Sequence, residues 1–409
     1  MTAEQVAEPT KTHRAVKSSG RFWATAYTLL LLLTGTNLPT PLYRGYQQDF
    51  GFSPLVVTLI FAVYVAALVP SLLIFGPLSD AIGRRKVLAP AVFVAALGSL
   101  LFALADSTPW LFAARILQGL AVGAASGALT AALSELEPRG DRRRAALVST
   151  VASVGGLGTG PLVAGILAQY APAPHVLPFV VEIVLLIPAF ITMVTLPTAR
   201  AATKWKPRRP SIPASVRGVF GTSGTASFLA FTVVGLFLSL VPTYVTKLSG
   251  SSNLALGGGA VTLMLGCSCL AQLLAYGKPA HRLQITGLAL LAVGLVLLAV
   301  AGGLSSLALL LVATVIGGVG QGLAFLGSIT EINRFAPADR HADVISSFYV
   351  IVYLGVGVPV ISVGFLAAVT GLLGAVQLFT AVVAVLCLID LVVLARGRNK
   401  LAEAAVSGA

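Results

Sequence analysis

The chain contains twelve apolar stretches, each long enough to cross a lipid bilayer. A helix needs about 20 apolar residues to span the hydrocarbon layer, and it satisfies its own backbone groups where lipid offers no partners. Short connections rich in polar residues or proline separate the stretches. They cover residues 22–42, 54–75, 87–105, 109–134, 145–168, 176–197, 219–243, 254–276, 283–303, 306–330, 344–368 and 372–395. The sequence predicts an all-α integral membrane protein with twelve transmembrane helices.

The composition excludes a water-soluble enzyme. Hydrophobic residues make up 57% of the 409 residues and charged residues only 10%, whereas a soluble domain has about 25% charged residues. No phosphate-binding loop or zinc-binding helix is present, and the four histidines fall in loops or in the tail. Cys267 and Cys269 would point to different sides of one helix. We expect neither an enzyme nor a metal site.

The net charge of +13 is explained by the positions of the basic residues. If the N-terminus is cytoplasmic, 24 of the 27 Lys and Arg residues lie on the cytoplasmic face, while Arg44 and Lys247 lie on the opposite face and Arg115 lies within a span. This asymmetry is typical of membrane proteins and needs no nucleic-acid partner. It predicts a multi-pass protein of the plasma or inner membrane with both termini in the cytoplasm.

A basic, proline-rich connection divides the twelve spans into two sets of six. The predicted organisation is a cytoplasmic N-terminal tail, a first six-helix bundle, a cytoplasmic linker, a second six-helix bundle and a cytoplasmic C-terminal tail. These segments cover residues 1–21, 22–197, 198–218, 219–395 and 396–409. The sequence Gln-Gly-Leu-Ala occurs at 118–121 and again at 321–324, which indicates a parallel internal repeat. Transporters built from such repeats bind substrate between the halves near the bilayer midplane.

The sequence GPLSDAIGRRK, residues 76–86, joins the second and third spans. Gly76 would allow close approach of another helix, Gly83 would allow a turn, and the basic residues would hold the turn inside. An ordinary cytoplasmic loop explains the cations, but not the acid and the two glycines in this register. The segment resembles the signature loop of the major facilitator superfamily. That resemblance implies two pseudo-symmetric six-helix bundles, a small-molecule substrate, transport by alternating access and a functional monomer.

The resemblance also implies a conformational latch at the cytoplasmic side. Asp80 is expected near residues 343–346, and Arg84 is expected to pair with an acid at the inner end of the fourth span. Glu135 is the first candidate for that acid and Glu137 the second. The latch, which would hold the outward-open state together, comprises Gly76, Asp80, Gly83, Arg84, Arg85 and Glu135.

The fourth span contains Arg115 and Gln118, which share a helix face and resemble the family motif R-x-x-Q-G. That motif is associated with proton coupling, although Arg115 could instead extend its charged end outward to the membrane surface. The first span has no carboxylate, unlike that of many relatives. Glu182 in the sixth span is the deepest acid and a third coupling candidate, with a structural pairing as the alternative. We expect no cofactor and a proton gradient as the energy source.

The fifth span contains Gly156, Gly160, Pro161 and Gly165. Glycines here could simply allow helix packing, but their combination with proline resembles the G-x-x-x-G-P-x-x-x-G signature of proton-driven antiporters. The resemblance implies an exporter rather than an importer.

The spans that line the central cavity in this family carry polar and aromatic residues but no acid near their midpoints. A neutral or weakly anionic lipophilic compound, such as an amphenicol-like antibiotic or a metabolite, is therefore the expected substrate. The alternative function is import or exchange of a nutrient such as a sugar or an organic acid. Besides Gln118, the candidate cavity residues are Asn37, Tyr64, Gln272, Gln321, Tyr349 and Tyr353.

Overall fold

The computed structural model describes residues 11–196, 212–251, 253–337 and 340–407. Residues 1–10 of the predicted tail and 198–211 of the predicted linker lie outside this part of the chain. The described residues form thirteen α-helices and no strand. The helices are α1 (Lys11–Asn37), α2 (Tyr43–Phe50), α3 (Pro54–Ile82), α4 (Arg84–Ala103), α5 (Thr108–Leu136), α6 (Arg142–Tyr170), α7 (Leu177–Val194), α8 (Arg217–Ser239), α9 (Val241–Ser249), α10 (Leu254–Ala275), α11 (Ala280–Gly303), α12 (Leu307–Phe335) and α13 (His341–Ser407).

Twelve helical passes account for the twelve predicted spans. Ten of the helices in the described ranges are long and apolar enough to cross a membrane. One of the ten, α13, holds two spans that meet at Gly371, where a φ of 75° interrupts the helix. Glycine adopts this left-handed conformation without steric cost. Helix α1, which contains the first predicted span, completes the twelve.

The first span is broken near its end, and the prediction of a continuous helix over 22–42 was wrong. Helix α1 ends at Asn37, and a single 3₁₀ turn, Thr40–Leu42, leads into α2. Pro39 and Pro41 lack the N–H groups that would continue the helix, and each disfavours helical geometry in the residue before it. The seventh predicted span, 219–243, also breaks: α8 ends at Ser239, and α9 begins two residues later.

The segment 76–86 is almost entirely helical rather than a loop. Helix α3 continues seven residues beyond the predicted span and ends at Ile82, and α4 begins at Arg84. Gly83 alone forms the connection, with a φ of 98° that favours glycine. The turn expected at Gly83 is present, and the helix ends hold the acid and the basic residues around it in fixed positions.

The helices pack as two bundles. One contains α1 and α3–α7, the other α8 and α10–α13, and the main contacts between them are α6 with α10 and α3 with α13. We call the end of the bundle that carries the Gly83 turn the basic end. The opposite end, which carries α2, the connections 104–107 and 171–176, and residues 250, 251 and 253, is the far end.

Helix α6 crosses two neighbours at very short range because its contact residues are small. A Cβ on Gly156 or Gly160 would collide with the backbone of α1, at the carbonyl oxygens of Leu30 and Thr34. On the side facing α10, a Cβ on Gly165 would lie 2.8 Å from the Leu254 carbonyl oxygen. Small residues permit such close approach between membrane helices. The same stretch of α6 therefore packs within its own bundle and against the other one.

We predict that Gly156→Ala lowers the thermal midpoint of the purified protein in detergent. The added methyl group must push α1 away from α6, and overpacking of this kind costs about 1–3 kcal/mol. Gly155→Ala is the matched control, because a Cβ there meets no atom within 4 Å. We expect that variant to melt at the wild-type temperature or slightly above it. Equal melting temperatures for the two variants would contradict the tight crossing.

Candidate functional site

Arg115 is fully buried inside the first bundle, which excludes the outward-extended orientation considered from the sequence. Its Nε donates to the Tyr43 hydroxyl at 2.7 Å, and its Nη1 donates to the Thr36 carbonyl oxygen and to Gln118 Oε1. Four aromatic rings surround the guanidinium, with centroids 5.5–5.8 Å from Cζ; they belong to Tyr43, Phe61, Tyr64 and Phe102. Within the described residues no acid pairs with Arg115. Hydrogen bonds and aromatic faces stabilise the charge instead.

Gln118 binds the end of α1 beside Arg115. Its Nε2 donates to the Gly35 carbonyl oxygen at 3.1 Å. In a continuous helix the N–H of residue 39 would bond to that oxygen, but residue 39 is proline. The Gly35 carbonyl oxygen also accepts from the Leu38 N–H at 3.3 Å, so Gln118 is its second donor. Arg115 binds the Thr36 carbonyl oxygen, one of the groups that the end of α1 leaves without a helical partner. The sequence placed these two residues on one helix face, and the structure shows that the face binds α1.

Glu182 of α7 reaches the same turn of α1 from another side. Its carboxyl group is buried, with the residue only 4% exposed, and Oε2 accepts a hydrogen bond of 2.6 Å from the Ser99 hydroxyl of α4. The carboxyl group lies against Gly35, where a Cβ would overlap Oε1. The structure therefore brings all three coupling candidates, Arg115, Gln118 and Glu182, to residues 35–36 of α1.

Three of the predicted cavity residues meet between the two bundles. Tyr353 of α13 lies near Tyr64 of α3 and near Ser126 of α5. Tyr349 is one turn away from Tyr353, with ring centroids 6.4 Å apart. Tyr64 also faces Arg115, so the aromatic surface is continuous with the buried guanidinium.

The other cavity candidates satisfy helix contacts instead. Asn37 is buried and donates to the Leu157 carbonyl oxygen of α6 at 2.9 Å. Gln272 and Gln321 are buried between α10 and α12, where the Ser268 hydroxyl joins them. Their amide groups are partnered within the second bundle, so the structure does not bring these three residues to the tyrosines.

At the basic end, Arg84 pairs with Glu135, the first candidate for its partner, and also with Asp80. Its Nη2 lies 2.7 Å from Glu135 and its Nη1 lies 2.9 Å from Asp80. Glu137, the second candidate, is instead buried and pairs with Arg144 at 3.1 Å. It also accepts backbone N–H bonds from the connection between α5 and α6, which it organises.

The remaining latch residues contribute less. A Cβ on Gly76 would meet no atom within 4 Å among the described residues. A close helix approach at Gly76 in the outward-open state stays a prediction. Arg85 is exposed. The expected contact of Asp80 with residues 343–346, and the role of the cluster in the outward-open state, stay predictions.

The far end is closed by contacts between the two bundles. The Leu254 amide donates to Gln169 Oε1 at 2.9 Å, and the Asn253 side chain donates to the Tyr170 hydroxyl at 3.1 Å. A Cβ on Gly364 of α13 would collide with Thr58 of α3. The structure is thus a state in which the far end is shut.

Comparison with known proteins identifies the family. Residues 25–358 match the sequence profile of the Major Facilitator Superfamily. The chain belongs to this superfamily. It is therefore a multi-pass membrane protein of a family of transporters, and the fold predicted from residues 76–86 is confirmed.

The transporter resembles several bacterial relatives at modest identity. It is 36% identical over 149 residues to the puromycin resistance protein pur8 of Streptomyces alboniger, covering 36% of this chain and 29% of that protein. It is 30% identical over 253 residues to the putative multidrug resistance protein MdtD of Cronobacter sakazakii, covering 60% and 49%. The chain thus spans less than half the length of these relatives.

Solved structures show the same fold at low sequence identity. A peptide transporter POT in complex with sulfate has a TM-score of 0.77 at 15% identity, covering 93% of this chain and 94% of that one. A bacterial homolog to the human lysosomal transporter Spinster has a TM-score of 0.71 at 15% identity, covering 95% and 96%.

Sequence reasoning missed the residues that complete the buried cluster. Tyr43, Ser99 and Gly35 come from three helices and share no motif with Arg115. A signal was available for Tyr43 alone, because it follows two prolines that had to end α1 and a buried arginine needs polar partners. Nothing local to Ser99 or Gly35 indicates contact with Glu182.

A second cluster missed from the sequence holds α2 at the far end. His175 stacks on Tyr46 with ring centroids 4.6 Å apart, and its Nδ1 lies 3.2 Å from Asp49 Oδ2. Burial lowers the pKa of His175 below its ordinary value of 6.5, and the Asp49 carboxylate offsets only part of that effect.

We predict that acidification loosens the connection 171–176 from α2. Because its pKa is lower in the folded protein, His175 binds protons less readily when docked, so stability is lost as the pH falls below about 6.5. Hydrogen–deuterium exchange of residues 43–50, corrected for intrinsic rates, should increase at acidic pH. His175→Phe keeps a stacked ring that cannot titrate and should abolish the increase. An unchanged increase in that variant would rule out His175 as the cause.

Proposed function

We propose that this transporter is a proton-coupled exporter of small lipophilic compounds that are neutral or weakly anionic. It would work as a monomer by alternating access in the plasma or inner membrane, with both termini in the cytoplasm, and would use the proton gradient without a cofactor. The observation that carries the proposal is the convergence of a buried guanidinium and a buried carboxyl group, Arg115 and Glu182, on one turn of α1. Titratable and charged groups inside a membrane protein typically belong to proton or ion pathways.

Export is favoured over import by two independent lines. Two of the similar proteins are named for drug resistance, and the stretch of α6 that resembles the antiporter signature lies at the closed contact between the bundles. Gly165 packs there against Leu254 of α10. Separation of α6 from α10 would open the far end, which is the exit side in the proposed orientation.

The expected charge of the substrate is inferred from the three tyrosines that meet between the two bundles. Tyr64, Tyr349 and Tyr353 offer ring faces and hydroxyl groups, and the cation Arg115 lies over the Tyr64 ring. A cationic substrate would be repelled by Arg115 and would find no carboxylate among the three tyrosines. A planar neutral or weakly anionic compound fits the surface better.

Proton flux in inverted membrane vesicles tests the proposal. We expect chloramphenicol, a neutral lipophilic probe, to dissipate a preformed pH gradient in vesicles that contain the transporter. Arg115→Ala should reduce that flux by about tenfold or more, and vesicles without the protein should show none. A response to sugars or organic acids alone would indicate the importer or exchanger instead. A response to ethidium alone would contradict the charge assignment.

The latch generates a separate prediction for the basic end. We expect Asp80→Asn to reduce transport several-fold while the amount of protein in the membrane stays the same. Partly exposed ion pairs contribute only about 0–1 kcal/mol to stability, so the loss should appear in the conformational equilibrium rather than in folding. Asp106→Asn, an acid of the far end, is the control and should transport normally. Normal transport by Asp80→Asn would eliminate the latch.

A further inference from the structure

The carboxyl group of Glu182 occupies the space that a side chain at residue 35 of α1 would fill. A Cβ on Gly35 would lie 2.5 Å from the Glu182 Cδ atom and would overlap Oε1. The other oxygen, Oε2, is held by the Ser99 hydroxyl at 2.6 Å. Helices α1, α4 and α7 thus enclose one carboxyl group, and only a glycine at position 35 leaves room for it.

A positive charge reaches the same turn from another helix. Arg115 donates to the Thr36 carbonyl oxygen, and Gln118 donates to the Gly35 carbonyl oxygen. The Nη2 atom of Arg115 is buried and donates to nothing among the described residues. The turn therefore has the Glu182 carboxyl group against Gly35. It also has the Arg115 guanidinium, whose Nη2 is an unused donor, at the Thr36 carbonyl oxygen.

We propose that Glu182, an acid of α7, carries the coupling proton at the turn of α1, which has no acid of its own. Gly35 and Ser99 are its positioning residues. This inference rests on the proposed proton coupling and deepens it, because it assigns the proton to one group and gives Arg115 and Gln118 a different role. They hold the turn and respond to the charge of Glu182, but they do not carry the proton.

The proton step is a simple ionisation. The O–H bond of the Glu182 carboxyl group breaks, its electron pair stays on oxygen, and the proton passes to water. The new negative charge attracts Arg115, because opposite charges interact strongly where water is excluded. Arg115 and the turn of α1 then shift relative to each other. Tyr43, which starts α2 and binds Arg115, transmits that shift toward the far end.

The charged and titratable groups around the turn come from few helices. Arg115 comes from α5, Tyr43 from the start of α2, and Tyr64 from α3, where it lies near Thr36. Tyr27 of α1 binds the Leu185 carbonyl oxygen of α7 one turn from Glu182. Among these groups, Glu182 alone is an acid that ordinarily ionises below neutral pH.

A thiol reporter at the far end tests the assignment without a substrate. Ala168 is buried on α6, one turn beyond Gly165, in a cluster against which Leu254 of α10 packs. Ala168→Cys should therefore react with a maleimide faster when α6 separates from α10. The three native cysteines are first replaced by alanine, and His175 is replaced by phenylalanine to remove the other group expected to titrate at the far end. Labelling is measured between about pH 5.5 and 8.5 on the full-length protein in lipid nanodiscs, normalised to a free peptide thiol.

We expect the labelling rate to follow a single titration in this background. Glu182→Gln should abolish the pH response, and Gly35→Ala should abolish or displace it by pushing the carboxyl group away. Ser99→Ala should displace the midpoint while keeping a response. The double variant Gly35→Asp with Glu182→Ala should restore the response, since the acid is returned to nearly the same place from α1. Asp390→Asn, a buried acid of the second bundle, is the matched control and should behave as wild type.

Several results would overturn the inference. One is a labelling rate that does not change with pH in the reporter background. The others are a pH dependence of the labelling rate that stays unchanged in Glu182→Gln or in Gly35→Ala. If the double variant fails to fold, the three single variants still decide the question. Failure of the proposed function looks different, because drug-induced proton flux would then be absent from vesicles while the reporter still responded to pH through Glu182.

Discussion

The structure depends on the need to satisfy a guanidinium that is buried in the membrane. An unpartnered arginine there costs at least about 2.5–3.5 kcal/mol, so Arg115 must find polar groups within its reach. The break in α1 supplies them, because the helix ends at Asn37 and the Thr36 carbonyl oxygen lacks its helical donor, while Pro39 has no N–H to offer the Gly35 carbonyl oxygen. The same break starts α2 with Tyr43, which provides a further partner. One buried charge therefore fixes the end of α1, the start of α2 and the N-terminal third of α5 relative to one another.

The turn of α1 also touches the helices that would have to move during transport. Helix α6 packs on α1 through Gly156 and Gly160 and continues to the closed contact with α10. Tyr64 joins the Arg115 environment to Tyr353 of the second bundle. A change of charge at Glu182 would thus act on an element that lies between the substrate surface and the far-end closure. The effect of the charge need not pass through a long chain of residues, because Arg115, Gln118 and Glu182 all contact one turn of α1.

The sequence predicts the number of spans well because hydropathy over 20 residues depends on composition alone. The resemblance of residues 76–86 to the family's signature loop also predicts the Arg84–Glu135 pair. The break in α1 was missed although its prolines are visible, because the apolar run continues through them. The contact of Glu182 with Gly35 could not be predicted, as it depends on how α7 packs against α1 more than a hundred residues away. Gln272 and Gln321 were predicted to line the cavity because they are polar residues within spans. In the structure, the Ser268 hydroxyl is hydrogen-bonded to both of them within one bundle.

The most direct test of the account is chemical labelling of the buried acids. Dicyclohexylcarbodiimide enters membranes and modifies carboxyl groups that are protonated in apolar surroundings. We expect it to modify Glu182, located by mass spectrometry of the intact transporter in lipid, with a rate that falls as the pH rises and that slows when a transported compound is present. Substrate-sensitive modification of Asp390 with Glu182 left unmodified at every pH would contradict the placement of the coupling proton at the turn of α1.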